Sequence, residues 1–108
     1  MRVMFAGSPR VALPALSALH ASRHDVVGVL TRQPRPTGRR RVLTPTAVHT
    51  QATDWDIPVA TPTTTAEILA AVESWRPDIC VVVAYGRLLA ADAIAAVPHG
   101  WWNVHFSL

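Results

Sequence analysis

Short, continuously apolar segments alternate along this chain with segments of helical periodicity, and this alternation restricts the fold more than any other feature. Ile79–Ala84 is the most hydrophobic of the apolar segments, and Val26–Leu30 likewise contains no polar side chain. Apolar strands without alternation are typical of parallel sheets that are covered on both faces. The strand–helix pattern repeats about four times within a single-domain length of 108 residues. The sequence therefore predicts the α/β class: an open, mostly parallel, Rossmann-like sheet with helices on both faces.

Turn signals between these segments set the expected element boundaries. Ser8 is predicted to cap the first helix, with Pro9 as its first residue. Pro34, Pro36 and Gly38 predict a segment without regular structure. The expected strands are Arg2–Ala6, Val26–Leu30, Ile57–Ala60, Ile79–Ala84 and Trp101–Phe106. The expected helices run from Pro9 to about Ala21, from Thr44 to about Trp55, from Thr64 or Thr65 through Trp75, and over Leu88–Val97.

Three segments are expected at the carboxyl edge of this sheet, where α/β folds place their chemistry. They are Gly-Ser-Pro at 7–9, Ala-Tyr-Gly at 84–86, and Asn-Val-His-Phe-Ser-Leu at 103–108. The first of them lacks the three-glycine fingerprint of dinucleotide-binding folds, so that function is disfavoured.

The last of these segments carries an amide and an imidazole two residues apart. On a strand, Asn103 and His105 share one face. His105 can exchange a proton near neutral pH, and Asn103 can donate a hydrogen bond to a developing oxyanion without titrating. Ser107 leaves open a rival use as a histidine-activated nucleophile. It lacks the glycine-flanked elbow typical of such serines, so the amide–imidazole interpretation is favoured.

The positive charge of the chain is concentrated in one segment. All ten Lys or Arg residues are arginine, and five of them lie within residues 32–41, which contain no acid. Such a segment is either a solvated, mobile loop or an electrostatic site for phosphates.

The remaining features argue against several other classes of protein. Cys80, the single cysteine, lies in an apolar segment and is predicted to be a buried, inert thiol. The five histidines show no metal-ligand spacing, so no metal is expected. No apolar run approaches the roughly 20 residues of a membrane span, and the first residues are too few for a signal peptide. We therefore expect a cytoplasmic protein with no membrane partner and no obligate protein partner.

Four stretches of the chain, in order, resemble motifs of one enzyme family. They are MRVMFAGSP at 1–9, RPTGRRRVLTP at 35–45, DICVVVAYGRLL at 78–89 and NVHFSL at 103–108. On these stretches the chain resembles the N-terminal part of the catalytic domain in the methionyl-tRNA formyltransferase family, whose members are folate-dependent formyltransferases. The resemblance implies that residues 1–108 form the first part of that domain, truncated relative to the complete formyltransferase fold.

The resemblance also implies a role for each matching residue. Asn103 and His105 match the catalytic asparagine and histidine. Arg39, Arg40 and Arg41 fall in the loop with which the family contacts the tRNA acceptor arm, although Arg40 replaces a glycine and its backbone freedom. The implied folate-binding residues are Tyr85, Gly86, Leu88, Leu89, Ser107 and Leu108.

The implied reaction is formyl transfer from 10-formyltetrahydrofolate to the amino group of initiator methionyl-tRNA. His105 would accept or relay the proton of the attacking amine, and Asn103 would stabilise the tetrahedral oxyanion. The family's third catalytic residue, an aspartate, lies beyond the matched motifs, so we expect the isolated 108-residue chain to lack turnover. Two alternatives stay open: a related folate-dependent formyltransferase acting on an amino sugar, which would not need the arginine segment, and a non-catalytic RNA-binding fragment.

Overall fold

A computed structural model describes residues 1–104 of the chain. Their elements, in chain order, are β1 (Arg2–Gly7), α1 (Leu13–His20), β2 (Asp25–Leu30), β3 (Arg35–Thr37), β4 (Val42–Thr44), α2 (Ala47–Asp54), β5 (Val59–Ala60), α3 (Thr65–Trp75), β6 (Ile79–Val83), α4 (Ala91–Ala95) and β7 (Trp101–Asn103). Five strands form one sheet in the order β5–β2–β1–β6–β7, and each pairing in it is parallel. The predicted α/β class with a parallel sheet is confirmed.

Helices cover both faces of the sheet, each pair over its own apolar core. The core beneath α3 and α4 includes Met4, Leu30 and Cys80, and the core beneath α1 and α2 includes Phe5 and Val29. Successive residues of a strand point to opposite faces, so both faces of β1 must be apolar. This explains the continuous apolar strands. Cys80 is fully buried, as predicted, and burial raises the pKa of its thiol above the usual range.

One close approach between α3 and the sheet depends on a missing side chain. A Cβ atom at Gly28 would overlap the indole ring of Trp75. The register of the β1–β2 pair shifts between Val3 and Met4, next to this contact, since Val3 pairs with Val26 and Met4 pairs with Gly28. Gly28 therefore lets α3 pack directly on β2.

The predicted start of α3 is confirmed, and that of the first helix is wrong. The Thr64 hydroxyl accepts a hydrogen bond from the Glu67 N–H (3.2 Å) and caps α3. Before α1, by contrast, Arg10–Ala12 form a 3₁₀ turn that Pro9 precedes. Ser8 does not cap this turn or α1, because its side chain is buried against the loop that follows β6.

Two other helices are shorter than predicted. The helix expected from Thr44 begins at Ala47, because the Thr46 hydroxyl accepts from the His49 N–H (3.0 Å) and caps it there. The helix expected over Leu88–Val97 is confined to α4, since the residue before it has an extended backbone.

The arginine segment contains a hairpin, so the prediction of no regular structure there is wrong. β3 and β4 pair antiparallel outside the main sheet. Gly38 and Arg41 adopt positive φ angles of 70° and 53°, which close the connecting loop. The hydroxyls of Thr37 and Thr44 hydrogen-bond across the pair at 2.6 Å. Pro36 is tolerated because both strands of such a ribbon are edge strands.

β7 is an edge strand among the described residues. Trp101 packs against the α3–α4 core, and its Nε1 donates to the Ala93 carbonyl (2.9 Å). On the other face Trp102 is 62% exposed, and Val104 is also exposed. The sheet therefore ends, within residues 1–104, on a strand with one covered and one open face. No helix in this range is long and apolar enough to cross a membrane.

Candidate functional site

The turn that follows β6 divides the carboxyl edge of the sheet into two clefts. Ala84 and Gly86 have φ angles of 51° and 87°, so the chain reverses around the buried Tyr85. A Cβ atom at Gly86 would also lie 2.9 Å from Cδ of Arg32. Both the backbone angle and this contact therefore favour glycine at the turn.

The first cleft, here called the asparagine cleft, lies between this turn and the end of β7. It has a volume of about 370 Å³ and is lined by Val82, Ala84, Tyr85, Gly86, Arg87, Asn103 and Val104. Asn103 pairs with Val82 of β6, and the Val104 N–H donates to the Val82 carbonyl (2.8 Å). These contacts hold the end of β7 against β6 and place the exposed Asn103 at the cleft.

The structure brings together three of the residues predicted from the sequence: Tyr85, Gly86 and Asn103 line one cleft. Leu88 and Leu89 do not line it. Leu88 is 99% exposed, whereas Leu89 packs against the α3–α4 core. The remaining predicted residues of this site lie outside the described residues and stay predictions: His105, Ser107 and Leu108.

The second cleft, here called the serine cleft, lies on the other side of the turn and is built on buried hydroxyl groups. It has a volume of about 320 Å³ and is lined by Ser8, Pro9, Arg32, Arg35, Thr46, Ala47, Ala84, Tyr85 and Gly86. Ser8 Oγ donates to the Tyr85 carbonyl (2.9 Å) and accepts from the Arg32 N–H (3.1 Å). The hydroxyls of Thr31 and Thr46 hydrogen-bond beside it at 2.6 Å. These bonds tie the ends of β1, β2 and β6 to the start of α2.

Replacing Ser8 with alanine should destabilise this junction. The change leaves the Tyr85 carbonyl and the Arg32 N–H without their Ser8 partner, which costs about 1–3 kcal/mol in the free energy of unfolding. Urea denaturation measures the difference. Ser17→Ala, at an exposed position of α1, is the control and should change stability by less than about 0.5 kcal/mol. Equal stability of the Ser8→Ala variant and the parent would show that the hydroxyl does not support the junction.

Tyr85 forms a rigid wall between the clefts. It is 2% exposed, and its Oη has no hydrogen-bond partner among residues 1–104. Burial raises the pKa of Tyr85 from 10.0 to about 12, against the opposing effect of the nearby Arg87 guanidinium. The phenol is therefore neutral at physiological pH and does not serve as a base there. Because the folded-state pKa lies above the ordinary value, the stability from this group is lost as the pH rises from about 10 towards 12.

The single tyrosine of the chain makes this pKa directly measurable. The near-ultraviolet absorbance of the phenolate should appear only as the pH approaches about 12 in the folded protein. The urea-unfolded chain is the internal control and should titrate near about 10. Coincident titration curves for the folded and unfolded chain would contradict the burial of the phenol.

The three arginines of the predicted tRNA loop lie at the tip of the β3–β4 hairpin. Arg39, Arg40 and Arg41 are exposed and line neither cleft. Arg41 carries the positive φ of the loop itself. Their guanidinium groups are thus presented to solvent beyond the carboxyl edge of the sheet.

Sequence reasoning missed the part of Arg87 in this edge. Arg87 lines the asparagine cleft, and Arg32 lines the serine cleft. The available signal was that Arg87 directly follows the Tyr-Gly turn. Sequence reasoning also missed that the hydroxyl of Ser8 holds two strand ends together. In the described range, no three His, Cys, Asp or Glu side chains are grouped so that they could hold a metal ion.

Comparison with known proteins places this geometry in a family. The family model described as formyl transferase matches residues 1–108. The methionyl-tRNA formyltransferases of Frankia alni, Mycobacterium sp. and Xanthomonas euvesicatoria are 51%, 50% and 49% identical to this chain over its whole length. The chain covers 34%, 36% and 36% of those proteins, so it spans about a third of the length of the curated relatives it matches.

A solved structure shows the same fold. The phosphoribosylglycinamide formyltransferase of Coxiella burnetii aligns with a TM-score of 0.62 over 95% of this chain and 49% of that chain, at 13% sequence identity. The likeness concerns the fold alone at this level of identity. Since the family model covers the whole chain and relatives at about half identity agree with it, the chain belongs to the formyl transferase family.

Proposed function

We propose that this chain forms the first part of an enzyme that transfers the formyl group of 10-formyltetrahydrofolate to the amino group of initiator methionyl-tRNA. The observation that carries the proposal is the position of Asn103, which lies at the carboxyl edge of the sheet in one cleft with Tyr85 and Gly86. Three relatives of about half identity carry the name methionyl-tRNA formyltransferase. The reaction would take place in the cytoplasm, and residues 1–108 would be the N-terminal part of the catalytic domain.

The asparagine cleft has a size and lining suited to a folate-derived formyl donor. Its volume of about 370 Å³ falls in the range of roughly 300–1,000 Å³ that small-molecule sites occupy. Val82, Ala84 and Val104 give it apolar walls, and Asn103 and Arg87 give it polar groups. An aromatic ring system with a charged tail fits such a mixture. The donor would supply the electrophilic formyl carbon at the Asn103 end.

Asn103 would act on the developing negative charge. Its amide NH₂ is a donor that does not titrate, so it can stabilise a tetrahedral oxyanion without consuming a proton. The amine of an aminoacyl group has a pKa of about 7.7–8.0 and must be neutral to attack. We assign the removal of its proton to His105, whose ordinary pKa is about 6.5.

The hairpin would bind the RNA part of the acceptor. Arg39, Arg40 and Arg41 are exposed at its tip, and the arginine segment contains no acid. Guanidinium groups bind phosphates bidentately and retain their charge at all physiological pH values. This surface favours a tRNA acceptor over an amino sugar, which presents no comparable run of phosphates.

Removing the three hairpin charges should weaken tRNA binding and its dependence on salt. The triple variant Arg39→Ala/Arg40→Ala/Arg41→Ala should lower the slope of log affinity against log salt concentration by about 2–3, because each lost phosphate contact contributes about 0.7–0.9. Filter binding of methionyl-tRNA over a salt series measures the slope. Arg23→Ala, an exposed arginine between α1 and β2, is the control. An unchanged slope in the triple variant would exclude an electrostatic role of the hairpin.

Activity is tested in a chimera that supplies the rest of the relatives' length. In this Frankia chimera, residues 1–108 are joined to the part of the Frankia alni relative that follows its matched segment. The chimera should transfer labelled formyl groups from 10-formyltetrahydrofolate to methionyl-tRNA. Binding of tRNA without any transfer would favour a non-catalytic RNA-binding role.

A further inference from the structure

Three arginines surround a small polar depression that no predicted role accounts for. The arginine depression, as it is called here, has a volume of about 170 Å³ and lies beside the two clefts. Its lining residues are Arg32, Gln33, Pro34, Arg35, Pro62, Thr63 and Arg87. They come from the loops that follow β2, β5 and β6, so the depression belongs to the carboxyl edge of the sheet.

The fold holds two of these arginines in place. Nη2 of Arg87 donates to the Thr63 carbonyl (2.7 Å) and thereby fixes the side chain across the gap between two loops. The backbone N–H of Arg32 donates to the buried Ser8 Oγ (3.1 Å). The Arg32 side chain lies against Gly86, where a Cβ atom would come within 2.9 Å of its Cδ. These contacts reduce the conformational entropy that the arginines lose when they bind a ligand.

The depression contains no negative charge of its own. No aspartate or glutamate lines it or either neighbouring cleft. Glu67 accepts a hydrogen bond from the Thr63 hydroxyl (2.9 Å), but it lines a separate cavity on α3. Three guanidinium groups around one depression repel each other, and a multivalent anion would remove that repulsion.

We propose that the arginine depression binds a phosphate of the RNA backbone near the 3′ end of the acceptor tRNA. This inference rests on the proposed function and extends it, because it adds a second phosphate site beyond the hairpin tip. Arg35 begins β3, whose far end leads to the hairpin tip, and Arg87 also lines the asparagine cleft. The depression therefore lies between the hairpin and Asn103. An RNA strand held at the hairpin would pass over it to bring its aminoacyl end to the asparagine cleft.

The test compares two pairs of arginines at opposite edges of the sheet. The variant Arg32→Gln/Arg87→Gln removes two charges from the depression. Its matched control, Arg23→Gln/Arg76→Gln, removes two charges from exposed positions that precede β2 and β6. Binding of methionyl-tRNA to the full chain is measured over a salt series. The depression variant should lower the slope of log affinity against log salt by about 1, as expected for one lost phosphate, and the control should not.

Further arms separate the possible outcomes. The variant Arg32→Lys/Arg87→Lys keeps the charges and should retain most of the slope, and thermal unfolding should show that all variants fold. A parent chain that binds no tRNA would contradict the proposed function itself. A parent that binds tRNA with the same slope as the depression variant would overturn only the phosphate site. Weaker binding of polyglutamylated tetrahydrofolate, with unchanged tRNA binding, would assign the depression to donor carboxylates and also overturn it.

Discussion

Replacement of Asn103 with alanine is expected to lower the rate constant of formyl transfer by the Frankia chimera by about 10²–10³-fold, the usual cost of removing one oxyanion donor. The reason is geometric, because Asn103 lies at the end of β7 in the asparagine cleft, where the Tyr85–Gly86 turn forms the opposite wall. The amide stabilises charge that develops only in the transition state. The change should therefore appear in kcat, with little effect on KM for either substrate.

Matched variants separate this effect from a general disturbance. Gln51→Ala removes an amide from α2, on the other side of the molecule's α1–α2 core, and should leave kcat unchanged. Asn103→Asp keeps the shape but replaces the donor with a negative acceptor, so its loss should be at least as large as that of the alanine variant. A rise in KM at constant kcat would show that Asn103 binds substrate without stabilising the transition state.

Gly28→Ala is expected to lower the free energy of unfolding by about 3 kcal/mol, at the upper end of the range for overpacked cores. The added Cβ would overlap the Trp75 ring, and both the β2 backbone and the indole are held by packing. A loss of this size is a large fraction of the about 5–15 kcal/mol that stabilises a domain. Urea denaturation monitored by circular dichroism measures it.

The overlap itself is tested by a double-mutant cycle. Gly28→Ala should cost less in a Trp75→Leu background, since the smaller side chain removes the clash. Gly38→Ala is the control, because an added Cβ there meets nothing within 4 Å and carries only the penalty of a φ of 70°. A Gly28→Ala variant as stable as the parent would contradict the close packing of α3 on β2.

The sheet was predictable because both of its faces are buried. That burial makes β1, β2 and β6 apolar at every position, and such runs separated by capped helices allow few folds. The Thr64 cap was likewise predictable from a local signal. Asn103 could be placed at the carboxyl edge by strand order alone.

The hairpin and the use of Ser8 could not be predicted, because both depend on contacts between distant segments. Ser8 is a suitable helix cap by sequence, but the Tyr85 carbonyl and the Arg32 N–H compete for its hydroxyl. Pro36 argued against a strand, yet an isolated two-stranded ribbon tolerates proline on its open side. Arg87 reaches the arginine depression only because the loop after β5 supplies the Thr63 carbonyl. The role of His105 stays a prediction, since the described residues end at Val104.

Single-turnover formyl transfer by the Frankia chimera tests the central claim most directly. The chimera, in excess over labelled 10-formyltetrahydrofolate, receives methionyl-tRNA and an amino-sugar nucleotide at equal concentration. The proposed function predicts that the label appears on the methionyl group of the tRNA and that Asn103→Ala slows this transfer by about 10²–10³-fold. Label on the amino sugar, or transfer to tRNA at the parent rate in the Asn103→Ala chimera, would contradict it.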